Sequence, residues 1–259
     1  MYNAVEDKTK VIDFLDKVCA DQMEKIIDKS YDNLSSYVNA FDQKMVMKRE
    51  NLADKAVWTA KKRYIMNVYD SEGVRYEEPK LKMMGIEAIR SSTPSACKDK
   101  MKHILKIIMN GTEEDVIQYV DDFRKEFMAL SAEEIFFPRS VRGLEKYHDA
   151  AHLHKKGAPI HVKAALLYNK LLKDHKLVND YPTIKDGEKI KFAYLKKQNT
   201  TGGESIAILN QLPHEFGIQE YIDYDKMFEK SFTEPMTNIM DAVGWKMKHI
   251  ATLESFFGN

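Results

Sequence analysis

Residues 61 to 76 read KKRYIMNVYDSEGVRY, three cations and a tyrosine set ahead of an alternating apolar pattern. Lys and Arg donors grouped this way suit phosphate oxygens or the groove acceptors of a duplex, and they equally suit a solvated hairpin edge. His148, His152 and His154 form the one local histidine cluster. His148 and His152 can share a helix face, but no Cys or carboxylate stands at a recognised ligand spacing, so surface histidines in a basic stretch compete with a metal site. Carboxylate pairs such as Asp121-Asp122 and Glu133-Glu134 read as first-turn or solvated-face charges. No GxGxxG, GxxxxGK[ST], GxSxG or HExxH occurs, so phosphate-cradling loops and the common hydrolase sites have no sequence support. Taken by their types alone, the residues offer a nucleic-acid-binding surface and no visible catalytic centre.

The charge distribution strengthens that reading. Forty Lys and Arg balance forty Asp and Glu over 259 residues. Blocks nonetheless alternate: −3 for residues 1 to 40, +6 for 41 to 110, −6 for 111 to 138, +8 for 139 to 197 and −5 for 198 to 259. Two basic blocks folded onto one surface would make a groove for a polyanion, whereas solvated helix faces would produce the same counts. Cys19 and Cys97 stand in no CxxC spacing and cannot build a disulfide framework, which implies a reducing compartment. No signal peptide and no membrane-length apolar run is present, and the expected location is cytoplasmic.

Apolar periodicity supplies the elements that position these groups. Val11, Phe14, Leu15, Val18, Met23, Ile26, Ile27, Tyr31, Leu34 and Val38 follow helical spacing, predicting one long or two consecutive helices over 10 to 39 with this stripe in the core. From Trp58 the pattern alternates, and a β-hairpin is predicted with its turn at Gly73. Ser92-Thr93-Pro94 opens a helix with Thr93 as N-cap, Met101, Ile104, Leu105 and Ile108 as its stripe and Gly111 as terminator. Thr112 with Asp115 resembles a capping box, and a second helix follows with Val116, Tyr119, Val120, Phe123, Phe127 and Leu130 on one face, so the two form a helical hairpin. Residues 161 to 177 predict another helix, 189 to 196 and 204 to 209 short strands joined through Gly202-Gly203, and 222 to 243 a last helix ended by Gly244.

The segment from KKRY through MNVYDSEGVRYEEPKLKMMGIEAIRSSTP, ending at Pro94, resembles the part of T-even-type bacteriophage family B DNA polymerases that follows the catalytic strands. There it carries the Lys-Lys-Arg-Tyr hairpin of the palm, the EP-x-LK-x-MG-x-E strand and the SSTP opening of the thumb. FPRSVRGLEKY at 137 to 147, APIHVKAALLYN at 158 to 169 and FEKSFTEP at 228 to 235 resemble the family's thumb in the same order. The family's Pro-Phe-His-Ile-Arg-Gly is here Pro159-Ile160-His161-Val162-Lys163-Ala164. The fold class implied is α+β and mainly helical: a partial polymerase palm over 1 to 90, a helical thumb with a small β insertion over 91 to 250, and a tail over 251 to 259. The family's aspartate motifs DxxSLYP and DTDS and its nucleotide-helix motif KxxxNSxYG are absent from these residues, and no stretch resembles its 3′-to-5′ exonuclease. The expectation is a small chain of a split polymerase, or a cloned fragment, beginning just beyond the aspartate-bearing turn.

The resemblance also implies roles. Lys61, Lys62 and Arg63 would contact newly formed duplex, with Lys62 reaching the minor groove near the primer end and Tyr64 supporting that strand; minor-groove acceptors are common to all correct pairs, so such donors test pair shape without reading sequence. Lys80, Lys82, Ser91, Ser92 and Thr93 would line the primer side, although capping alone also explains Thr93. Arg139, Ser140, Arg142, His161 and Lys163 would grip the duplex backbone. Glu50 falls where the family has an acid near its metals, but the position two residues earlier, often Asp, is Lys48. No cofactor is expected on this chain alone, with Mg2+ joining the assembled polymerase. Leu253, Phe256 and Phe257 resemble the family's tail that docks on the sliding clamp, against which stands packing back onto the thumb. The implied partners are primer-template DNA, an N-terminal polymerase chain with the catalytic aspartates, and the clamp. A stand-alone DNA-binding or clamp-binding accessory protein derived from a polymerase is the alternative.

Overall fold

The computed structural model describes residues 8–247. The chain divides into two compact units, Met1–Met84 and Gly85–Asn259, and its class is α+β.

In the first unit, α1 (Lys8–Val18) continues through a π-helical turn, Cys19–Met23, into α2 (Glu24–Tyr37). An antiparallel sheet follows in the order β1-β2-β3, with β1 (Asn51–Ala60), β2 (Arg63–Ser71) and β3 (Val74–Met84). The β2–β3 turn is at Glu72 and Gly73, both at positive φ (+52° and +86°), the backbone of a tight hairpin whose twist matches the strands. Ile65, Val68 and Tyr69 are buried with Asn67 and Asp70. The expected hairpin is present, but a third strand, β1, precedes it from Asn51, seven residues before the alternation becomes visible. Its half-buried, polar-rich face NLADKA hides the period.

The expected core stripe of the two N-terminal helices is overturned. Neither helix contains a buried residue, and Phe14, Ile26 and Tyr37 are 65%, 65% and 85% exposed. Val18, Ile27 and Tyr31 of the stripe are half-buried, and charge adds further ties between the helices and the sheet. Arg49 donates from Nε and Nη2 to Asp16 (3.0 and 2.7 Å), from Nη1 to Asp70 (2.5 Å) and from its backbone N–H to Glu24 (3.1 Å). Asp70 is fully buried; its Oδ1 also accepts from the Gly73 N–H (3.0 Å), closing the hairpin turn, while Arg75 Nε lies 2.7 Å from its Oδ2 outside hydrogen-bonding alignment. Burial alone would lower the Arg49 pKa, but the hydrogen bonds to Asp70 and Asp16 outweigh it and hold the guanidinium more firmly charged than usual.

The second unit opens with α3 (Ser95–Asn110) and α4 (Glu113–Met128), the predicted helical hairpin. Thr112 and Asp115 form the predicted reciprocal capping box. Pro94, not Thr93, is the N-cap of α3: the Thr93 hydroxyl turns inward and donates to the Glu87 carbonyl at 2.7 Å. A short helix, α5 (Ala132–Ile135), leads to β4 (Phe137–Ser140); α6 (Leu144–Tyr147), β5 (His148–Asp149) and β6 (Leu153–His154) form the approach to α7 (Ile160–Asp174). Strands β7 (Lys189–Tyr194) and β8 (Ser205–Ile208) are the two predicted near the Gly202-Gly203 turn, and β4 adds to them, giving an antiparallel order β4-β7-β8. A side chain at Gly203 would place its Cβ 2.5 Å from the Leu167 side chain on α7, which would have to shift to admit it. The last predicted helix is α8 (Tyr224–Phe228), a π-helical turn and α9 (Glu234–Ala242), with Gly244 at φ +80° after it. Phe123, Phe127, Phe228 and Phe232 interlock in the core with centroid separations of 4.7–5.9 Å, mostly edge-to-face.

Candidate nucleic-acid interface

In the first unit, KKRY is not the head of the Gly73 hairpin but the turn of the hairpin before it. Ala60 pairs with Arg63, leaving Lys61 and Lys62 exposed at the tip. Lys62 has φ +62°, a left-handed conformation that glycine adopts freely and a lysine does not, with a cost on the order of 1 kcal/mol. A lysine kept at such a position is a candidate for chemistry rather than for packing. Tyr64 faces Trp58 across the strands, with ring centroids 6.4 Å apart.

On β3, Lys80 places its ammonium 4.0 Å above the Tyr76 ring centre, a weak cation–π contact that leaves the charge accessible. Lys82 is differently placed. Its ammonium is ion-paired with Glu50 and lies 3.4 Å from Asn51 Oδ1. That hydrogen bond raises the Lys82 pKa and lowers that of Glu50. Lys82 thus has its charge already partly balanced by a carboxylate, and Glu50 faces a lysine rather than other acids. Among the described residues no group of three His, Cys, Asp or Glu could hold a metal ion. The donor set does not fit Mg2+.

In the second unit, Arg139 and Ser140 stand exposed at the end of β4, the edge strand of its sheet. Arg142 follows in a turn fixed from outside: both oxygens of Asp186 accept backbone N–H groups, Gly143 at 3.0 Å and Leu144 at 2.8 Å, and Val141 donates to the Glu188 carbonyl at 2.9 Å. Gly143 takes φ +84° in that turn. The backbone that carries Arg142 is thus fixed, and both arginines are exposed. His161 lies in the first turn of α7, half-buried, its pKa lowered by burial and further by the charge of Arg139, so it is biased towards the neutral form beside the cation. Lys163 pairs with Glu204 at 3.3 Å. Ser91 is exposed and Ser92 partly so, but Thr93 is buried and its hydroxyl is already donated, which removes it as a phosphate ligand.

Two features escaped the residue types and spacing. Lys189 and Lys191, on the central strand β7, pair with Ser140 and Pro138 and so face the side of the sheet opposite Arg139, whose partner is Ile190; Lys191 donates to the Glu133 carbonyl at 3.2 Å. The +8 charge of residues 139 to 197 was the available signal. His148 and His152 do not share a helix face: His148 lies in β5 as the cross-strand partner of His154 in β6, and His152 lies in the turn between the two strands, where Asp149 uses one oxygen to accept the Ala151 and His152 N–H groups. Leu253, Phe256 and Phe257 lie outside the described residues.

The described residues show two sets of exposed cations, and among the described residues no group of His, Cys, Asp or Glu forms a metal cage. No described helix is long and apolar enough to cross a membrane. Comparison with known proteins gives a consistent result. The family model for DNA polymerase family B matches residues 16–243. The DNA-directed DNA polymerase of Enterobacteria phage T4 is 31% identical across 98% of this chain, and that of Escherichia phage RB69 is 32% identical across 97%. The chain spans 29% of the length of each. A match that covers nearly all of this chain, with the cations above inside it, leaves one conclusion: the chain belongs to DNA polymerase family B.

Proposed function

We propose that this chain is the palm-remainder and thumb portion of a replicative DNA polymerase, gripping primer-template duplex while the catalytic aspartates and their Mg2+ ions are supplied by an N-terminal portion outside it. The observation that carries the reading is the disproportion of the match: nearly all of this chain, but 29% of each phage polymerase. The exposed lysines at the β1–β2 turn and the arginines on the β4 edge support a sequence-independent grip, since contacts to phosphate position a protein without reading bases. Phosphoryl transfer needs metal ions to stabilise the attacking and leaving oxygens. The residues of this chain hold and orient the duplex, and alone it is inert in synthesis. The tail with Leu253, Phe256 and Phe257 docks on the sliding clamp.

Primer extension tests the reading directly, with this chain alone, the large N-terminal portion alone, and both mixed. Synthesis only on mixing is the expected outcome; a competent large portion that gains nothing favours a non-catalytic accessory protein. Duplex affinity of the chain, followed by fluorescence anisotropy, should fall on the order of 100-fold between 50 and 200 mM salt for about four phosphate contacts. Salt-independent affinity overturns the grip. Deleting residues 251 to 259 should abolish clamp-stimulated processivity while distributive synthesis continues, and unchanged processivity refutes the docking role.

A further inference from the structure

The helices of the first unit present a surface that the duplex grip does not use. Phe14, Leu15, Ile26, Leu34, Tyr37 and Val38 recur at helical spacing along α1 and α2, and every one is exposed. The acidic positions Asp13, Asp16 and Glu24 are committed to Arg75 and Arg49, so the guanidiniums anchor the helices on the side where Ile12, Val18, Ile27 and Tyr31 are half-buried and leave Phe14, Ile26 and Tyr37 outward. A continuous exposed stripe of aromatic and branched residues is uncommon on a free surface and marks an interface. A duplex does not fit it, because a backbone of phosphates calls for cations and polar donors.

We propose that this face of α1 and α2 is the docking surface for the remaining portion of a family B polymerase, an apolar complement that buries Phe14, Ile26 and Tyr37. The inference rests on the polymerase reading above. The occupant follows from the match: more than two thirds of each related polymerase lies outside the segment this chain covers, and an amphipathic helix laid against a partner is a common recognition mode. A second copy of this chain and the chain's own terminal residues are the competing occupants.

The test uses the full chain and, as probe, the portion of the Enterobacteria phage T4 polymerase outside the matched segment, with association followed by analytical ultracentrifugation. The expected result is a one-to-one complex that Phe14→Ser with Ile26→Ser weakens by about tenfold or more, while the Tm of the isolated chain stays within about 2 °C, as befits exposed positions. Leu15→Ser with Leu34→Ser provides a second pair on the same face. Equal binding by wild type and variants, or no complex, overturns the proposal; a Tm loss of about 10 °C shows the face to be internal core and overturns it as well. Self-association dissolved by the substitutions reassigns the face to a second copy, and a complex that forms only after residues 248 to 259 are deleted reassigns it to the chain's own terminus. Lys61→Ala with Lys62→Ala separates the two readings: those changes weaken duplex binding and leave the complex intact, so a failed grip and a failed docking face give different patterns.

Discussion

The two units solve the problem of holding an element in place with different forces. The second unit buries an interlocked set of phenylalanines, with Phe127 and Phe232 fully inaccessible and Phe123 nearly so. The first unit leaves its longest apolar stripe outside and ties its helices down with Arg49, Arg75, Asp16 and Asp70. Apolar burial is non-directional and scales with area, whereas a charge network depends on geometry and on every partner being present. The second unit therefore rests on an apolar core, and the helices of the first on a charged anchor.

Each unit carries one of the two tryptophans, Trp58 and Trp245, so single-tryptophan variants report the units separately during urea denaturation. The largest expected effect is in the second unit. Phe123→Ala removes a ring in contact with three others and should cost about 3–5 kcal/mol, seen as a lower midpoint through Trp245. Phe14→Ala, a chemically identical truncation on the first unit's open face, should change stability by under about 0.5 kcal/mol. Similar losses from the two substitutions would erase the contrast.

A charge-based test sharpens it from the other side. Asp70→Ala leaves Arg49 partly buried opposite Asp16 alone and removes the acceptor for the Gly73 N–H. The expected loss is about 3 kcal/mol, confined to the Trp58 signal. Replacing Arg49 and Asp70 together by apolar residues should recover much of it, since a buried pair exchanged for well-packed groups is often near neutral. A double variant as unstable as the single would show that the network stabilises far more than it offsets.

The same contrast explains what could be foreseen. The α3–α4 hairpin was legible because its signals are local: Thr112 and Asp115 sit one turn apart, and the stripe through Phe123 and Phe127 has no other use. The N-terminal helices were legible as helices, yet their outward face was not, because helical periodicity records that a face is apolar and not whether its cover lies in the same unit. The anchor depends on Arg49 meeting Asp16 and Asp70, residues 33 and 21 positions away, and no spacing rule encodes that. Short strands fared worst. β4 is defined by Phe137 pairing with Phe192, and β5 and β6 are two residues each, too short for any period. At the interface, the cations were legible by type and by resemblance, while their ion pairs were not: Lys82 with Glu50 and Lys163 with Glu204 are set by the fold.

A smaller effect is expected at Lys62, where stability and the proposed grip pull in opposite directions. Lys62→Gly relieves the left-handed backbone and should stabilise the first unit by about 1 kcal/mol, read through Trp58. The same change removes one phosphate or groove contact, so the slope of log affinity against log salt should fall by about 0.9. Lys62→Ala separates the two effects, since it loses the charge and keeps the strained backbone. A glycine variant no more stable than wild type would remove the argument that lysine is retained there for chemistry.

The smallest effect concerns two helix caps of the second unit. Asp115 accepts the Thr112 N–H and hydroxyl, and those hydrogen bonds hold its pKa below the ordinary carboxylate value; Glu134 is lowered in the same way by Ser131. A carboxylate whose pKa is depressed by folding contributes stability that is present above its unfolded pKa, near 4, and lost as pH falls through the folded value. Acid scans should therefore show the Trp245 transition shifting to lower temperature below about pH 4, with Asp115→Asn flattening part of that slope and leaving the neutral-pH midpoint lower by a degree or two. The Trp58 transition of the same variant should keep its full acid response, because Glu50, the first-unit carboxylate whose pKa is lowered, owes that to its hydrogen bond with Lys82 and not to a helix cap. If Asp115→Asn flattened both transitions equally, the two units would be unfolding as one, and the division of labour between apolar core and charged anchor would have to be redrawn.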